Sequence, residues 1–235
     1  MKQINLPNFL TLLRVLSVPF FIYFLMDPSQ HYRYIAFILF SLASITDLID
    51  GYLARKWKQE TEFGKFMDPM ADKVLVIGAL ITFLFLSDQV LIWMVLVIIG
   101  RDMLITILRY LAIKSGKSLH TSRLGKVKTA FQMFSIIVIL LSLTLLTYKE
   151  TGAINEEYRQ AESGVYELAT QNMVKFFQGE AKNWHYGLAS FLPFYMMMIT
   201  TMLTVISGLR YLVANYHLLM SIRFGSKTKE INGHK

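Results

Sequence analysis

Four aspartates stand close together in the first third of the chain, as Asp47-x2-Asp50 and Asp68-x3-Asp72. Side chains three or four positions apart on a helix share a face, so each pair can present two carboxylates in one direction. Both pairs sit where apolar segments meet. If those segments form a helical hairpin, all four acids point into one space. Desolvation and mutual repulsion would force such acids to protonate at a membrane edge unless cations compensate them. Carboxylate oxygens are hard donors that suit Mg²⁺, Mn²⁺ or Ca²⁺ rather than zinc. The expected chemistry is a two-metal site acting on phosphoryl groups, with Asp47, Asp50, Asp68 and Asp72 as its ligands.

The residues between the pairs fit that chemistry. Gly51 and Gly64 remove side chains where a nucleotide would approach the backbone closely. Ala54 keeps the same wall low, and Arg55 can pair with phosphate. A second, cationic constellation comprises Arg101, Arg109, Lys126 and Lys128, with Arg14 as a further member. It is expected to bind the phosphate of an acceptor substrate. The competing reading has Arg109 and the lysines snorkelling to lipid headgroups, and it is preferred for Lys114, Lys117 and Arg123. Arg101 lies farther inside an apolar span, where an unpaired charge is costly.

Positioning these groups requires long helices. Of the 235 residues 54% are hydrophobic, and they fall in long blocks rather than alternating, which predicts an all-α integral membrane protein without a separate soluble domain. Six apolar spans of sufficient length to cross a bilayer are predicted over about 9–26, 34–58, 63–86, 90–113, 124–148 and 186–214. Asp27-Pro28-Ser29 and Ser87-Asp88-Gln89 are expected turns, and 114–123 a polar loop. The chain is expected to be one domain over 1–235, with an insert at about 149–183 and a basic tail at about 221–235. The insert is polar and acidic. An amphipathic helix around Tyr158 to Phe177 and a solvated loop both fit it.

Charge sets the expected orientation. Arg55, Lys56, Lys58 and Lys65 fall on the same side as Lys114, Lys117, Arg123, the tail and the amino terminus. The positive-inside bias therefore puts both termini and the aspartates in the cytoplasm. The formal charge of +8 is distributed as topology requires, so it does not point to nucleic-acid binding. Absence of cysteine excludes disulfides and thiolate metal sites. The amino-terminal apolar run, carrying Arg14 and Pro19 and no A-x-A exit, is not read as a cleavable signal.

The full pattern Asp47-x2-Asp50-Gly51-x2-Ala54-Arg55-x8-Gly64-x3-Asp68-x3-Asp72 resembles, without departure, the signature of the CDP-alcohol phosphatidyltransferases. A lone Asp pair is usually a solvated helix end; eight fixed positions at fixed gaps are a far more specific signal. The resemblance extends to Asn5-Leu-Pro-Asn8-x2-Thr11-x2-Arg14, Arg101-Asp102-x6-Arg109, Gly125-Lys126-Val-Lys128-Thr129 and Ser207-Gly208-x2-Tyr211. It covers nearly the whole chain except the insert. Asp102 is a departure, since glutamate is expected there.

This resemblance implies a six-helix membrane enzyme, usually a homodimer, that needs Mg²⁺ or Mn²⁺ and releases CMP from a CDP-linked donor. It assigns the four aspartates to a di-metal centre and makes Asp72 the base as well. It also brings Thr11 and Arg14 into consideration as site residues. The expected reaction transfers the phosphatidyl group from CDP-diacylglycerol to sn-glycerol 3-phosphate in a bacterial inner membrane. Other acceptors (inositol phosphate, phosphatidylglycerol or serine) remain open, and serine fits a cationic pocket least. A six-span cation transporter is the alternative of another class. His120 and His185 are expected as ordinary loop histidines, Met196-Met197-Met198 as packing residues, and Trp184 as an interface anchor.

Overall fold

A computed structural model describes the backbone over residues 6–57, 62–114 and 123–216, and side chains over 12–46, 73–113 and 124–216. The described residues contain helices and no strand. Five long helices come first: α1 (Leu6–Met26), α2 (Gln30–Trp57), α3 (Glu62–Leu86), α4 (Ile92–Lys114) and α5 (Arg123–Leu145). Their bounds follow the expected spans closely. Proline is tolerated in the first turn of a helix, and α1 accordingly takes in Pro7. Its end is marked by Asp27, whose Oδ1 accepts the Ser29 N–H at 2.8 Å.

The insert differs from the loop alternative. It folds as α6 (Tyr148–Arg159) and α7 (Val165–Phe177), so the expected single helix over 158–177 is interrupted. α6 ends at its C-cap Gln160, and Gly164 precedes α7 with φ +90°, a conformation that side chains rarely adopt. Thr147 caps α6, accepting the Glu150 N–H while the Glu150 carboxylate accepts the Thr147 N–H. The expected sixth span likewise divides, into α8 (Trp184–Ala189) and α9 (Leu192–Ala214). His185 consequently lies on a helix, not in a loop, while His120 lies outside the described residues.

The chain forms two compact units, Met1–Leu91 with Met133–Met197, and Ile92–Gln132 with Met198–Lys235. In the first, α1 packs on both α2 and α3. Phe21 and Phe40 meet with ring centroids 5.4 Å apart. A Cβ on Gly78 of α3 would come within 3.0 Å of Val18 on α1, so the absence of a side chain sets that close approach. The insert is bound into this unit as well. Asn155 donates to the Leu86 carbonyl at 2.9 Å and Tyr158 to the Ser190 carbonyl at 2.6 Å; beside them Gln89 donates to the Ala189 carbonyl of α8 at 2.8 Å.

Beside an apolar core, many large apolar residues face outward and several polar ones are buried. Leu16, Phe20, Phe85, Leu96 and Val213 are exposed, whereas Arg14, Arg33, Lys128 and Gln132 are buried. Among the described residues, Leu124–Leu145 and Trp184–Ala214 are long and apolar enough to cross a membrane. Leu12–Met26 and Lys73–Leu86 are shorter apolar stretches, each continuing into residues whose side chains lie outside the description. Helix α4 is apolar too but carries Arg101, Asp102 and Arg109 in its interior.

Candidate active site

The four aspartates fall on continuous helix: Asp47 and Asp50 on α2, Asp68 and Asp72 on α3. Helical backbone at both places puts each pair on one face, as the spacing requires. Their side chains lie outside the described residues, as do those of Gly51, Ala54, Arg55, Gly64 and Thr11. Among the described residues no cluster of His, Cys, Asp or Glu could hold a metal ion. By residue type the four aspartates of α2 and α3 are oxygen donors, of the kind that fits a hard divalent cation.

The cationic constellation is described in part. Arg101 and Asp102 are neighbours on α4, and the Arg101 Nη1 donates to the Asp102 Oδ1 at 3.0 Å. The Lys128 ammonium, from α5, reaches both oxygens of the same carboxylate at 2.7 Å. The other arm of the guanidinium, Nη2, donates to the Ser207 Oγ of α9 at 3.1 Å. That hydroxyl in turn donates to the Thr204 carbonyl at 3.1 Å. One carboxylate thus joins cations from two helices, and the guanidinium reaches a third helix of the same unit.

Burial divides the expected cations. The Lys128 side chain is 1% exposed and that of Arg101 15%, while Arg109 and Lys126 are exposed. A nearly inaccessible ammonium requires an adjacent anion, and Asp102 supplies it. Arg14 is buried in α1, within the other unit. The structure brings Arg101 and Lys128 together; Arg109 and Lys126 stand apart from that cluster in exposure.

Three members of the cluster were not expected as site residues: Asp102, Ser207 and Gly208. A Cβ at 208 would stand 3.1 Å from the Arg101 Cγ, so Gly208 makes room for the arginine stem. Ser207 lies 106 positions from Arg101, and no local periodicity links residues so far apart. The only sequence signal was that both fell in motifs, Arg101-Asp102-x6-Arg109 and Ser207-Gly208-x2-Tyr211.

Known proteins resemble this chain. A sequence model of the CDP-alcohol phosphatidyltransferase family matches residues 4–159. A Haemophilus influenzae protein named CDP-diacylglycerol–glycerol-3-phosphate 3-phosphatidyltransferase is 40% identical over 139 residues, covering 57% of this chain and 74% of that protein. Proteins of the same name from Rickettsia felis and Escherichia coli K12 are 42% identical over 137 residues and 39% over 144. These alignments cover 58% and 59% of this chain, and 75% and 78% of the respective relatives. With the signature intact on α2 and α3 and the family match spanning most of the chain, this protein belongs to the CDP-alcohol phosphatidyltransferase family.

Proposed function

We propose that this enzyme transfers the phosphatidyl group of CDP-diacylglycerol to sn-glycerol 3-phosphate, giving phosphatidylglycerophosphate and CMP. The observation that carries this reading is the match to relatives named for that reaction, at 39–42% identity across about three quarters of their length. The cationic cluster of Arg101 and Lys128 supports a phosphorylated acceptor.

In this reading an acceptor hydroxyl attacks the lipid-side phosphorus of the donor, and the pyrophosphate bond breaks to release CMP. Asp72 takes the hydroxyl proton, which requires hydrogen-bond reach in the loaded enzyme. Asp47, Asp50, Asp68 and Asp72 would hold two Mg²⁺ or Mn²⁺ ions, which when bound supply positive charge to the pyrophosphate oxygens. Gly51, Ala54 and Gly64 leave room for the nucleotide, and Arg55 pairs with its phosphate. Arg101 and Arg109, with Lys126, hold the acceptor's phosphate, and Lys128 supports them from its buried place beside Asp102. Arg14 and Thr11 border the site.

The chain is proposed to cross a bacterial inner membrane six times, with α6 and α7 on the outer side and both termini in the cytoplasm. The outward apolar residues of α1, α3, α4 and α9 support immersion in hydrocarbon. The lysines and arginines of the 2–3 and 4–5 connections support the orientation. One membrane domain assembled as a homodimer completes the proposal.

CMP release by purified protein, given CDP-diacylglycerol, Mg²⁺ and a panel of acceptors, tests the reaction. Glycerol 3-phosphate should sustain turnover. Turnover with inositol phosphate, phosphatidylglycerol or serine in its place would reassign the acceptor, and metal flux without CMP release would refute the enzyme reading for this site.

A further inference from the structure

The cluster on α4, α5 and α9 contains more than the cations a phosphate needs. Asp102 is an anion placed among the very groups proposed to attract one. A carboxylate there would weaken anion binding if its only effect were its charge. Its geometry points to a different role. Both of its oxygens meet the Lys128 ammonium at 2.7 Å, and one also accepts from Arg101 at 3.0 Å.

Lys128 is almost inaccessible, and Arg101 is the more exposed of the two cations. Asp102 therefore serves the two cations differently. It compensates the buried ammonium, and it fixes one arm of the guanidinium. Ser207 fixes the other arm at 3.1 Å, and Gly208 leaves the stem its path. A guanidinium carries five N–H donors in a rigid fork, so two such bonds set its plane and leave other donors unassigned. The buried Arg101 Nε is one of these, with no hydrogen-bond partner among the described residues.

We infer that Asp102 is a positioning residue, which aims Arg101 at the acceptor's phosphate and keeps Lys128 as its buried counter-ion. Arg101 is then the cluster's direct contact with the acceptor, and Lys128 acts through Asp102. The inference rests on the proposed glycerol 3-phosphate reaction and adds what orients its cation. The carboxylate is essential to the role, and its arm length is secondary.

The test compares Asp102→Asn, Asp102→Glu and Ser207→Ala in the full-length enzyme, measuring separate KM values for glycerol 3-phosphate and CDP-diacylglycerol together with thermal unfolding. Asp102→Asn should raise the acceptor KM about tenfold or more, matching loss of a charge-assisted bond. The donor KM should stay within about twofold, and Asp102→Glu should return the acceptor KM to within about threefold of wild type. Ser207→Ala leaves no buried charge unpaired, so it decides the matter even if Asp102→Asn does not fold; it should raise the acceptor KM about threefold. An unchanged acceptor KM in Ser207→Ala, or equal changes in both KM values, would overturn the inference. So would a lowered acceptor KM in Asp102→Asn, which would make the carboxylate a competitor of the phosphate. Failure of the wild type to use glycerol 3-phosphate would instead refute the reaction on which the inference rests.

Discussion

Arg33 and Thr151 are 118 positions apart in sequence, and the Arg33 Nη1 donates to the Thr151 Oγ1 at 3.0 Å. The same nitrogen lies 3.3 Å from the Leu143 carbonyl and 3.4 Å from that of Leu146, at the end of α5. A cation at the carboxyl end of a helix meets carbonyls that have no partner within the helix. The Tyr148 ring lies 5.9 Å from the Arg33 guanidinium carbon, so this residue ties α2 to α5 and to the first turn of the insert.

Arg33→Met should lower stability by about 2 kcal/mol, the range for hydrogen bonds to a charged group, while leaving both KM values near wild type. Arg33→Lys should recover little of the loss, since a point charge cannot reproduce a planar fork. Thermal unfolding in detergent measures both. An unaltered melting temperature in Arg33→Met would show that the contacts contribute nothing net.

Asp72→Asn should abolish turnover while preserving donor binding, because the amide cannot take the acceptor's proton. Chelation should stop the wild-type reaction, and Mg²⁺ or Mn²⁺ should restore it. Single-turnover CMP release and donor-binding titration separate the two effects. A near-wild-type rate in Asp72→Asn would remove Asp72 from the role of base.

Arg109 is exposed on α4, so its removal leaves no unsatisfied buried group. Arg109→Ala should therefore fold normally and raise the acceptor KM by much more than the donor KM. Steady-state kinetics with each substrate varied in turn provides the measurement. Equal shifts would assign Arg109 to lipid headgroups.

Gly187 is a close contact between α8 and the preceding insert. A Cβ there would lie 2.5 Å from the Phe176 Cδ2 and 2.7 Å from the Ala181 Cβ. Gly187→Ala should destabilise the protein by about 1–3 kcal/mol through overpacking, despite the usual gain from replacing glycine in a helix. Thermal unfolding should show a lower midpoint, and Gly152→Ala, where a Cβ meets nothing within 4 Å, should show none.

Glu150 gives the insert a dependence on pH. The Thr147 backbone N–H and then its hydroxyl bond the carboxylate and lower its pKa from the usual 4.5. The folded form therefore prefers the ionised acid. Its contribution is present above the unfolded pKa and is lost as pH falls through the lowered, folded one. Protection of the first α6 amides against hydrogen exchange, relative to their intrinsic rates, should fall as the pH drops below about 4.5, and Glu150→Gln should remove that dependence. Thr147→Ala should cost about 1 kcal/mol at neutral pH by deleting the cap.

Local pattern sufficed wherever one helix decided the outcome. Runs of apolar residues between turn signals gave α1 to α5 to within four residues at each end, and the spacing of the aspartates put each pair on a single helical face. The fixed gaps from Asp47 to Asp72 identified the family. The insert was less legible. Its helices are short and polar, with their inner faces bound by contacts such as Asn155 to Leu86 and Tyr158 to Ser190, which hydropathy does not register.

Only the tertiary structure distinguished among the cations. In the sequence, Arg109, Lys126 and Lys128 were alike as positive charges, and Arg101 differed only in lying farther inside its apolar span. Folding buries Lys128 against Asp102, ties Arg101 to Ser207, and leaves Arg109 and Lys126 exposed. Charge is a property of a residue, whereas burial and partnership depend on which helices meet. Those meetings join residues far apart in the chain, where no local spacing specifies them.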